Sequence, residues 1–134
     1  MAEARATQSG AQELRWPLLA VITAQAMTAF AQSVLAGAFL DGHFAFLRVH
    51  RLNAYWGVVG VSYLQVLLAL AYWRRGELPR WVALVSVGLA VANSVEVMLG
   101  LGRVIGLHIP VGVSIISANL LLAVWAWRDR VGLR

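Results

Sequence analysis

The sequence predicts an all-α integral membrane protein, an antiparallel up-down bundle of four transmembrane helices. Three observations carry that expectation. Of 134 residues, 60% are hydrophobic and only 13% charged, with a mean hydropathy of +0.73, a balance that soluble domains of this length do not show. Four apolar runs occupy residues 18–39, 53–73, 81–101 and 104–127. Each holds about 20 residues, enough at ~1.5 Å per residue to cross a ~30 Å hydrocarbon layer. The connections are short, and the second, "RRGELP", makes the helices on either side antiparallel neighbours.

Taken in order, residues 1–15 form a polar N-terminal segment in which Glu3 and Glu13 alternate with Arg5 and Arg15. A secretory signal has a shorter apolar core and a purely basic flank, so the first run is expected to be a retained helix. Residues 16–128 then form one four-helix domain, with a short tail at 129–134. Asp41-Gly42 reads as the turn that ends the first helix. Pro79 suits the start of the third, where a missing N–H costs little. The fourth opens with "GLHIPVGVS".

Basic residues fix the expected orientation. Arg5, Arg15, Arg74, Arg75, Arg80, Arg128, Arg130 and Arg134 fall on one side, against Arg48, Arg51 and Arg103 on the other. The positive-inside rule puts both termini in the cytoplasm of a multi-pass cell-membrane protein. Trp16, Trp73, Trp81, Trp125 and Trp127 lie at the same cytoplasmic ends, as interfacial belt residues do, and only Trp56 lies toward the outer side. The net charge of +5 and pI near 11.1 therefore reflect helix anchoring in a lipid bilayer, not a nucleic-acid partner. With no cysteine in the chain, thiolate metal sites, disulfide exchange and c-type heme attachment are excluded.

The chemistry-bearing residues are two histidines. His50 in "FLRVHRLNAYWG" begins the second span and His108 begins the fourth. Both spans run from outside to inside, so the two imidazoles share a depth near the outer face. In a square bundle these spans are diagonal, and neighbour spacings of ~8–10 Å put diagonal axes roughly 11–14 Å apart. One metal between two inward imidazoles fills such a gap. Ala54 follows His50 at i+4 and Gly112 follows His108 at i+4, and Gly57 continues the first strip, so bare backbone lies beside each ring. Tight helix packing uses the same small residues. Spans 1–2, "SVLAGAFL…VHRLNA", and spans 3–4, "SVEVMLGLG…LHIPVG", form a faint parallel repeat with an axis along the membrane normal. Zinc fits less well, since two histidines without thiolate or carboxylate make an incomplete site.

"HRLNA" and "LHIPVGV" resemble the paired histidine signatures of the heme A synthase superfamily. Members join two four-helix bundles, each with a histidine pair on its second and fourth helices, and the resemblance covers one bundle. It implies a heme-holding scaffold with His50 and His108 as axial ligands. Leu47 stands where the catalytic glutamate of that family is expected, and the family's cysteine pair and second bundle are missing. The resemblance thus implies the heme-holding scaffold and not the oxygen-dependent synthase reaction; heme b is the cofactor the residues themselves suggest.

Other polar residues have two readings each. Arg51 holds a heme propionate or snorkels to the interface, and Arg48 and Arg103 are weaker versions of the same. His43 in "DGHFAF" reads as a loop histidine. Glu96, the one acid inside an apolar span, is either a proton-handling group or a structural glutamate paired with an arginine such as Arg103. Gln25, Gln32, Gln65 and Asn119 read as interhelical hydrogen-bonding groups. The function expected is a b-type heme membrane protein for electron transfer or heme handling, with a quinol or redox protein as partner and scope for a homo-oligomer. A heme-free assembly subunit accounts for the same sequence. A small four-helix transporter fits less well, because that class relies on an acid in its first span.

Overall fold

The structure, a computed structural model, describes residues 16–130; the polar segment 1–15 and residues 131–134 lie outside the described residues. Among the described residues all regular structure is helical. The helices are α1 (Trp16–Leu40), α2 (Ala45–Arg74), α3 (Arg80–Leu101) and α4 (Ile105–Arg130), and each is long and apolar enough to cross a membrane.

The breaks between helices follow local chemistry. At Gly42, φ is +95°, and at Gly76 it is +73°, a region glycine enters without steric cost. Pro79 is extended (φ −60°, ψ 138°) and α3 starts at the next residue, as its missing N–H requires. After α3 the left-handed position goes to a non-glycine residue, Arg103, at φ 57°. There Val104 N–H donates to Leu99 O (3.0 Å) and Arg103 N–H to Gly100 O (3.2 Å), the paired bonds that close a helix C-terminus.

Packing turns the usual soluble arrangement inside out. Large apolar side chains such as Met27, Leu67, Met98 and Leu121 are about two-thirds exposed. The fully buried set instead includes Gln25, Gln65, Asn93 and Asn119. An apolar exterior around small and amide interior residues is the packing of helices in lipid, and it gives the chain the character of a multi-pass membrane bundle. The apolar core proper, Leu18, Ile22, Val82, Leu122 and their neighbours, lies toward the tryptophan-rich end, where Trp81 meets Trp125 edge-on at 4.5 Å and Trp16 meets Trp127 at 6.3 Å.

Helix α1 packs on α2 and α4, and α3 packs on the same two, so α2 and α4 face each other across the bundle. One irregularity bears on the site. Residues Asn53–Gly60 of α2 wind as a π-helix, a wider turn closed by i→i+5 bonds that occurs often beside functional groups.

Candidate functional site

Both imidazoles stand on the wall of one cavity of about 480 Å³. Helix α2 supplies His50, Arg51, Ala54 and Val58, and α4 supplies His108 and Gly112. Helices α1 and α3 close the sides, with Gln32 on the first and Glu96 and Gly100 on the second. The ring centroids of His50 and His108 are 6.5 Å apart, with planes inclined at 76°. Residues 58 positions apart in sequence thus meet because their helices begin at one end of the bundle and face each other across it.

The two rings differ in how their surroundings hold them. His108 Nδ1 lies 2.8 Å from Glu96 Oε1 and 3.2 Å from the Glu96 carbonyl oxygen. His50 Nδ1 is buried without a hydrogen-bond partner among the described residues. Nε2 is therefore the nitrogen that His108 has available. A donor N–H held by a carboxylate or carbonyl is the usual way a ligand imidazole is oriented.

Small residues at this site make room for side chains of the site itself. A Cβ added at Gly112 lies 2.8 Å from Glu96 Oε1, and one at Gly100 lies 2.9 Å from His108 Cε1. Both glycines thus leave free the space beside the Glu96 carboxylate and the His108 ring. Ala54, 9% exposed, lies on the cavity wall as expected from its i+4 position after His50.

Gly57 departs from expectation. It is not on the cavity wall; a Cβ there runs into Asn53 Oδ1 and approaches Thr28 Cγ2 at 3.2 Å. Its carbonyl accepts a hydrogen bond from Thr28 Oγ1 (2.9 Å), and Asn53 Nδ2 donates to Thr28 O (2.9 Å) and Gln32 Oε1 (3.0 Å). The wider π turn shifts the face by about one residue, so that Ala54 and Val58 line the cavity and Gly57 turns to α1. A regular helix of 3.6 residues per turn, on which the expectation rested, does not make that shift.

Glu96 also takes a partner the sequence did not single out. It binds His108, and Arg103 makes no contact with it among the described ion pairs. The available signal was its spacing: Glu96 and Gly100 are i and i+4 on α3, opposite the small face of α4 that carries His108 and Gly112. His43 is exposed in its loop, 3.9 Å from Asp41 Oδ2, as a solvated histidine should be. Leu47 lies on the cavity wall. Among the described residues, no cluster of three or more His, Cys, Asp or Glu side chains is arranged around a metal position.

No protein-family model matches the chain, and no curated protein or solved structure matches it either. The functional reading therefore rests on residues and geometry.

Proposed function

We propose that the protein is a membrane b-type heme-binding protein whose His50 and His108 hold one heme iron near the outer face, serving electron transfer or heme handling. The observation that carries this is the 6.5 Å separation of the two imidazole centroids on a shared cavity wall. Two imidazoles that held one metal ion between them would stand at about this separation. A cavity of about 480 Å³ is in the ~300–1,000 Å³ range of small-molecule and cofactor sites. Heme b held there supplies one-electron chemistry whose potential follows its axial ligands and their hydrogen bonds.

The chain's own residues have distinct tasks. His50 and His108 act as neutral imidazole ligands, and Glu96 fixes the His108 tautomer by accepting from Nδ1. Arg51, exposed at the cavity rim, pairs with a propionate by charge-assisted hydrogen bonds. Ala54 and Gly112 keep the helix faces low beside the two ligands.

The proposed arrangement is antiparallel, inserted in the cell membrane with both termini in the cytoplasm. Paired contacts between successive helices support it: Thr28–Gly57 with Gln32–Asn53, Gln65–Ser86 with Tyr63–Ser94, and Glu96–Gly112 with Gly100–His108 join residues whose numbers rise on one helix as they fall on the next. The arginine asymmetry and the tryptophan-rich end support the orientation.

The test is an absorption spectrum of detergent-purified protein, oxidised and dithionite-reduced, beside His50→Ala and His108→Ala. A sharp reduced α-band in the wild type, lost in both variants, is expected. A colourless wild type after expression with supplied heme refutes the cytochrome reading and leaves a heme-free assembly subunit.

A further inference from the structure

Below the cavity the bundle interior is polar in a way the histidine site does not use. Gln25 (0% exposed) and Asn93 (1%) have all four side-chain amide atoms buried without a protein partner. Gln65 Oε1 is in the same condition, although its Nε2 donates to Ser86 Oγ at 3.1 Å. A buried amide without partners costs about 1–3 kcal/mol on mutational scales, so so many unpaired atoms in one interior call for a hydrogen-bonding ligand.

Register puts them in one column. On α1, Gln25 lies two helical turns inward from Gln32, which is on the cavity wall. On α3, Ser86 lies two turns inward from Asn93, itself on that wall. Helix α2 repeats the pattern from Val58 to Gln65, with the buried Ser62 between, and α4 repeats it from Gly112 to Asn119. Two turns advance roughly 10 Å, so each helix contributes a buried amide or hydroxyl about that far inward of these wall residues, one turn beyond Ala29 and Ile115 at the cavity floor. The apolar cluster of Leu18, Ile22, Val82 and Leu122 closes the inner end.

We propose that this column is a binding site for a file of water molecules, joined to the cavity through Asn93 and ending against the apolar cluster. Water is the ligand whose chemistry matches: the orphaned atoms are a mixture of neutral donors and acceptors, and a buried water makes ~2–4 hydrogen bonds to such groups. Cations would need acceptors alone. The column extends the cavity inward and gives protons a route to its floor from the middle of the bundle. It stands whether or not a metal sits between the histidines.

Radiolytic hydroxyl-radical labelling of the full-length protein in detergent, in ¹⁸O water, tests this directly. Leu89 and Val82 both belong to the apolar cluster, but Leu89 lies between Ser86 and Asn93 on α3, beside the column and off the cavity wall, whereas Val82, 0% exposed, lies two turns further in. Leu89 is expected to incorporate ¹⁸O several-fold faster than Val82, and Gln25→Leu with Asn93→Leu is expected to bring Leu89 down to the rate of Val82. Equal rates in the wild type, or a Leu89 rate that survives the replacements, overturn the proposal. Should the double variant fail to fold, the melting midpoint of Gln25→Leu alone decides. A wet amide loses its bound waters and the midpoint falls, whereas a dry orphaned amide gives a rise, which refutes the column.

Discussion

Gly112→Ala probes the contact on which the site geometry depends. The added Cβ lies 2.8 Å from Glu96 Oε1, well inside ordinary van der Waals contact, so the carboxylate must leave its position 2.8 Å from His108 Nδ1. Both side chains are largely shielded, at 25% and 15% exposure, so solvent replaces the lost bond only in part. A hydrogen bond with a charged partner contributes about 1.5–3 kcal/mol. Against this, alanine is favoured over glycine in a helix interior by about 0.8–1 kcal/mol. The net expectation is a loss of roughly 0.5–2 kcal/mol. In a Glu96→Ala background there is nothing to displace, and the same substitution should stabilise by about 0.8–1 kcal/mol. Reversible denaturant unfolding in mixed micelles, followed by tryptophan fluorescence, measures the four corners of this cycle. A stabilising Gly112→Ala in the wild type, or equal effects in both backgrounds, refutes the assignment of Gly112 to the Glu96–His108 contact.

Gly57→Ala is expected to destabilise by about 1 kcal/mol, because its methyl displaces Asn53 from Thr28 and Gln32 and breaks part-buried hydrogen bonds; an unchanged unfolding midpoint speaks against the packing described for the π-helical segment. Topology is directly measurable because the chain has no cysteine. A single His43→Cys should react with a membrane-impermeant maleimide added to intact cells, and Glu77→Cys should react only after permeabilisation; the reverse pattern inverts the orientation.

Much of the architecture was legible because it depends on one-dimensional quantities. Span length and hydropathy define four helices, and Pro79 and Asp41-Gly42 mark their breaks through backbone chemistry that tertiary contacts do not alter. The pairing of His50 with His108 was legible for a related reason. Two helices that begin at the same end of a square bundle, with histidines near their starts, put those histidines at one depth. The assignment of Gly57 to the same strip was not sound, since it assumed 3.6 residues per turn where Asn53–Gly60 winds more widely. Nothing local in "NAYWGVVG" announces that change; the Asn53 and Thr28 contacts between α1 and α2 accompany it.

By itself, then, the sequence determined the helical class, four helices long and apolar enough to cross a membrane, and the breaks at Asp41-Gly42 and Pro79, because apolar length and backbone preference act residue by residue. Only the tertiary structure decided which side chains meet. That Glu96 takes His108 and not Arg103, that Gly100 and Gly112 clear space for that contact, and that four helices bring amides into one buried column all depend on how helix faces are rotated against each other. Rotation is set by interhelical packing of small and polar residues, an interaction between segments that no single segment encodes.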